Sequence, residues 1–171
     1  MSHALDTAKN ILLPRELLVL ASSHEQHEMN RYRRLALRFL PFNAGIGRLL
    51  EALAMESEQR LRDMRLACDR LRLPRPALTV SPLQERYADG SESHFFIVNE
   101  EMAATALTQA LSGERQSLRF YRQLLTSSAT LELHALIAAF IKQSQAQCRI
   151  LEESQDQWLA GAQGFPKRRI A

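Results

Sequence analysis

Helix breakers are scarce in this chain: 171 residues hold only six Gly and six Pro, and most of them fall outside the apolar-periodic stretches. That scarcity points to long helices joined by few loops, and so to an all-α fold. Two cysteines, Cys68 and Cys148, both inside helical patterns, exclude a disulfide framework. No stretch of about 18 apolar residues occurs, which excludes a membrane-spanning helix. The first ten residues, MSHALDTAKN, lack the uninterrupted apolar region of a signal peptide, so the expected location is cytoplasmic. A hydrophobic share of 46% is that of a globular protein, and the length suits one domain with a full core. Residues 1–171 therefore read as a single domain: a short N-terminal helix, a bundle over about 15–160, and a basic tail ending in Lys167, Arg168 and Arg169.

What the chain does have is an internal repeat. EQHEMNRYRRL (25–35) returns 89 residues later (Glu25 to Glu114) as ERQSLRFYRQL (114–124), with Glu25/Glu114, Tyr32/Tyr121, Arg33/Arg122 and Leu35/Leu124 in register. Each copy is followed by a second amphipathic stretch, LAMESEQRLR (53–62) and FIKQSQAQCR (140–149), which align in turn. Two helix pairs of like design make a four-helix bundle.

The pattern along the chain sets the boundaries. Asp6 or Thr7 caps a short helix through about Leu13, and Pro14 fits the first turn of a long helix that runs to about Leu40. Within it Leu17, Leu18, Ala21, Glu25, Met29, Tyr32, Ala36 and Phe39 recur at three- and four-residue steps, which puts Glu25 inside the apolar stripe. Residues 41–47 form a turn, and a second helix follows to about Arg72, ended by Pro74 and Pro76. A long crossover comes next, with a short helix from Ser81 and Pro82 through Tyr87 and a turn over Asp89, Gly90 and Ser91. Asn99 caps a third helix to about Thr126, and Ser127–Thr130 supplies the turn and cap of a fourth that ends before Gly161.

On these residues the chain resembles the ferritin-like superfamily, and within it rubrerythrin-type proteins. The doubled Glu-x6-Tyr looks like the first and third helices of that family, where the Glu is a di-iron ligand and the Tyr packs below it. The resemblance implies a ferritin-like antiparallel four-helix bundle with a long crossover between the second and third helices, and it covers about residues 15–72 and 99–160. It also implies Glu-x-x-His on the second and fourth helices. Aligning Leu53-Ala54 and Phe140-Ile141 with the family's apolar pair puts Ser57 and Arg60 at one of those motifs and Ser144 and Gln147 at the other. Only two of six ligands remain.

Two carboxylates cannot offset the charge of two metal ions. His24 and His27 lie about 100° and 200° around the helix from Glu25, so neither is expected to point inward. The expected core is metal-free: Arg60 supplies its charge in place of the metal's, Ser57, Ser144 and Gln147 donate hydrogen bonds, and the second carboxylate meets a water channel or takes a proton. Tyr32 and Tyr121 pack their rings and satisfy their hydroxyls on glutamate. The function implied is a non-catalytic binding or structural module without cofactor. Its expected partner is a second copy, by family analogy and from apolar Leu133, Leu136, Ile137, Phe140 and Ile141 on more than one face of the fourth helix.

Two further readings compete. One is a rubrerythrin-type oxidoreductase or metal-binding protein, with iron in a rearranged site of Glu25, Glu114 and the flanking Glu56. The other is a polyanion binder, because residues 31–75 hold eleven Arg against five acidic residues although the net charge is only +3. No aromatic interleaving or nucleic-acid motif accompanies that charge, and a solvated helix face explains it more simply.

Overall fold

Pro14 opens the first helix of the computed structural model, which describes residues 11–77 and 95–163 and side chains as far as 160. Four helices account for nearly all of these residues: α1 (Pro14–Phe39), α2 (Ala44–Arg70), α3 (Glu100–Ser127) and α4 (Leu131–Gln163). No helix among the described residues is long and apolar enough to cross a membrane. The short helix and turn expected at 81–91 lie outside the described residues, as does the start of the one expected before Leu13. Its end does not form: Leu12 is extended, and its amide donates to the Ser127 carbonyl at 2.8 Å, tying the chain ahead of α1 to the turn between α3 and α4.

The helix ends follow their local chemistry. Proline at the first position of α1 loses no helical hydrogen bond, and Glu16 turns back to accept from the Leu13 amide at 3.0 Å. Asn43 caps α2 by accepting from the amides of Gly45 and Ile46, and Asn99 caps α3 by accepting from Met102. At the end of α2 the Leu71 amide returns to Ala67 and the Leu73 amide to Cys68, with Arg72 between them at φ 53°. This left-handed cap is normally a glycine's, and a side chain there costs about 1–2 kcal/mol. It stops α2 at Arg70, two residues short of the sequence expectation. α4 overshoots instead, passing through Gly161 to Gln163, since glycine in a final turn weakens a helix without ending it.

α1 packs chiefly on α2, and α3 on α4. Among the pairs that join α1 to α2 are Ser22–Met64, Glu25–Arg60 and Arg33 with both Glu51 and Glu58; Thr108–Gln155 and Arg115–Glu152 join α3 to α4. Residue numbers rise on one helix of each pair as they fall on its partner. Leu17, Leu18, Phe39, Leu50, Leu53, Met64, Leu107 and Phe140 fill the centre, each fully buried side chain contributing about 1.5–3 kcal/mol. The residues of α4 that suggested an interface are claimed by this core: Leu133, Ile137 and Phe140 are buried, and Leu136 and Ile141 pack against them half-covered. Trp158, near the end of α4, lies against Phe42 of the α1–α2 turn with ring centroids 5.6 Å apart.

Candidate functional site

An apolar bundle core has little use for charge, yet this one buries Glu25, Glu114 and Arg60 at 0%, 1% and 1% exposure. Each sits on the inward stripe of its helix, where the three- and four-residue period of the neighbouring Leu and Ala positions carries it. Arg60 Nη1 donates to Glu25 Oε1 at 2.8 Å, and Arg60 Nη2 donates to Gln147 Oε1 at 2.5 Å. The other end of that amide donates from Nε2 to Glu56 Oε2 at 2.6 Å, so Gln147 links the buried guanidinium to a carboxylate on the exposed side of α2.

The two tyrosines cross over. Tyr32 of α1 donates its hydroxyl to Glu114 Oε2 of α3 at 2.5 Å, and Tyr121 of α3 donates to Glu25 Oε1 of α1. Both rings are buried, and the Arg60 guanidinium lies 5.9 Å from the centroid of Tyr121. Ser57 of α2 faces Glu25 and Ser144 of α4 faces Glu114, each favouring the ionised carboxylate. Neither hydroxyl makes a hydrogen bond of good geometry, and Glu25 Oε2, Glu114 Oε1 and Arg60 Nε are likewise without a hydrogen-bond partner. All eight residues singled out by the repeat, Glu25, Tyr32, Ser57, Arg60, Glu114, Tyr121, Ser144 and Gln147, are therefore interior.

Burial dominates the electrostatics. It pushes the Glu25 carboxyl up against the pull of Arg60, Tyr121 and Ser57, and the Glu114 carboxyl up against Tyr32, Arg60 and Ser144. Burial also disfavours the Arg60 charge, but Glu25, Tyr121 and Glu114 outweigh it and hold the guanidinium protonated more firmly than usual. Both tyrosines are pushed well above their ordinary range by burial and then by the carboxylates they touch.

Sequence reasoning missed a second polar layer beside this one. Glu28 is 6% exposed and accepts from Arg31, whose guanidinium crosses to α3, 4.5 Å from the centroid of the Tyr32 ring. There it lies over Gly113: a Cβ at that position would come within 2.6 Å of Arg31 Cζ. Burial opposes the Glu28 charge, but Arg31 overrides it and lowers the carboxyl's pKa. His24, expected to turn away, faces α3 half-buried, with Nε2 3.0 Å from Ser117 Oγ and its ring stacked on Phe120 at 4.3 Å. Burial drives its pKa down to about 4. The signal available was Gly113 one residue before Glu114, a small residue on a helix face that another side chain must cross. His27 is exposed, as expected.

Among the described residues no group of three or more His, Cys, Asp or Glu side chains is placed to hold a metal ion, so Glu25, Glu114 and Glu56 do not form one. Much of the arginine charge over 31–75 is engaged within the chain: Arg31 on Glu28, Arg33 on Glu51 and Glu58, Arg60 on Glu25, Arg62 on Glu58 and Arg75 on Asp69, while Arg38 donates to the Phe95 carbonyl. Both cysteines are free thiols, buried from solvent. Comparison of the chain with family models, with curated proteins and with solved structures finds no match in any of the three.

Proposed function

We propose that this chain is a ferritin-like four-helix bundle in which a polar, metal-free core stands where that superfamily carries two irons, and that it serves as a non-catalytic binding or structural module. Three observations support the topology. The numbering of the α1–α2 and α3–α4 pairs runs in opposition, as in antiparallel hairpins; residues 71–99 are long enough for a crossover; and the two Glu–Tyr exchanges relate α1 and α3 as the repeat relates their sequences. A homodimer belongs to the same reading and rests on the resemblance alone.

The observation that carries the proposal is the Arg60 guanidinium 2.8 Å from Glu25. A di-iron centre does not fit these residues. A cation already occupies the one carboxylate, a tyrosine hydroxyl donates to the other, and the positions that would complete the ligand shell are Ser57, Ser144, Gln147 and Arg60 itself. Only the serine oxygens and the amide oxygen among these could serve a metal, and that amide oxygen is engaged by Arg60. At Glu25 the charge balance that metal ions would provide is met by arginine.

Metal analysis of protein purified without chelator from iron-supplemented culture, paired with anomalous scattering at the iron edge, tests the reading. The expected result is no stoichiometric iron and no anomalous peak between Glu25 and Glu114. One or two irons per chain that persist through desalting would overturn it in favour of an oxidoreductase.

A further inference from the structure

The repeat makes Glu25 and Glu114 equivalent, but their surroundings do not. Apart from Arg38, whose guanidinium donates to the Phe95 carbonyl, the charged groups gathered here are three buried carboxyls, Glu25, Glu28 and Glu114, and two guanidiniums, the buried Arg60 and the partly exposed Arg31. Each arginine already has a carboxylate: Arg31 takes Glu28 and Arg60 takes Glu25. Glu114 is left over. From α1 it meets the Tyr32 hydroxyl at 2.5 Å, with the Arg31–Glu28 pair beyond; from α2 it feels Arg60, whose hydrogen bonds go to Glu25 and Gln147; from α4 it meets Ser144, and its charge acts on the Cys148 thiol. An uncompensated carboxylate in such a site bears the full cost of desolvation. Its Oε1 and the facing Ser144 Oγ also share one defect, since both are buried without a hydrogen-bond partner.

We propose that Glu114 is a neutral carboxylic acid in the folded protein, its Oε1–H donating to Ser144 Oγ while Oε2 accepts from Tyr32, and that Glu25 is the anion. One proton then plays at Glu114 the part that Arg60 plays at Glu25. It removes the charge of the carboxyl that lacks a guanidinium of its own, turns an orphaned acceptor into a donor, and gives Ser144 Oγ a partner. The two halves of the bundle thus differ in the side chains that follow each glutamate: Arg60 in the first half, Gln147 at the matching place in the second.

The inference rests on the metal-free reading, and infrared difference spectroscopy on protein of measured metal content separates the two. Wild type is expected to show the carbonyl stretch of a buried carboxylic acid, shifted by deuterium. Glu114→Gln, an uncharged isostere, is expected to lose that band and to melt within the wild-type range, whereas Glu25→Gln keeps the band. Should Glu25→Gln not fold, the wild type and Glu114→Gln decide alone. Stoichiometric iron would sink the metal-free reading. In iron-free protein, a missing band, a band that survives Glu114→Gln, or a Glu114→Gln protein that fails to fold would overturn the assignment.

Discussion

Tyr32 donates its hydroxyl to Glu114 Oε2 at 2.5 Å, joining α1 to α3 across the centre of the bundle. The reciprocal bond, Tyr121 to Glu25, repeats it from the other side. Each half of the repeat thus supplies a donor for the other half's glutamate, and Glu25 takes a second from Arg60 of its own helix pair.

Removing one hydroxyl tests that exchange. Tyr32→Phe takes away the hydrogen bond to Glu114 and is expected to cost about 1–3 kcal/mol, the range for stranding a buried polar group. Tyr121→Phe is expected to cost less, because Glu25 keeps Arg60 at 2.8 Å. Urea melts of both variants check the order.

Gly113→Ala probes the Arg31 crossing. Glycine to alanine inside a helix ordinarily gains about 1 kcal/mol. Here the new Cβ meets the Arg31 guanidinium, which must give up its place over α3. The substitution is expected to gain less than this, or to destabilise, in the wild-type background, and to recover the usual gain when Arg31 is alanine. A double-mutant cycle measures the difference.

The outline of the fold and the members of the core were legible in the sequence because both are periodic. Glu25 and Tyr32 lie seven residues apart, two helical turns, within a run of Leu and Ala, and the repeat places Glu114 and Tyr121 by the same rule. Partners across helices were less accessible. That Arg60 would neutralise one of the two glutamates followed from its place in the site, but that the one is Glu25, and that Tyr32 bonds the glutamate of the other half, depend on helix offset, which no single helix encodes. Glu28 and Arg31 were hidden by a different effect: three residues apart on one helix, they read as an ordinary surface pair, and only the absence of a side chain at Gly113 lets them sink inward. His24 likewise lies off the apolar stripe and is covered by Phe120 of α3.

His24 gives a pH dependence of definite sign. Its folded pKa, about 4, lies below the ordinary 6.5, so the unfolded chain binds more protons within that window. The stability it contributes is fully present above pH 6.5 and is lost as the pH falls toward about 4. The raised carboxyls Glu25 and Glu114 act in the opposite sense, contributing stability that is lost as pH rises through their folded values. His24→Gln, which keeps a hydrogen bond to Ser117 without the titration, is therefore expected to lose less stability than wild type between neutral and mildly acidic pH. Parallel denaturant melts across that window show it, and equal losses would count against burial of the imidazole.

Charge on Glu25 in the bundle core depends on Arg60 as its cation. The most direct measurement is the stability of Arg60→Met, Glu25→Gln and the double variant at neutral and mildly acidic pH. Arg60→Met alone is expected to cost about 3–5 kcal/mol at neutral pH, as for one partner removed from a buried pair. Adding Glu25→Gln should return much of that loss, since the stranded charge is gone. Without Arg60 the Glu25 pKa rises further, so acid protonates it and the gap from wild type narrows as pH falls. An Arg60→Met protein as stable as wild type at every pH, with no coupling to Glu25, would contradict the account.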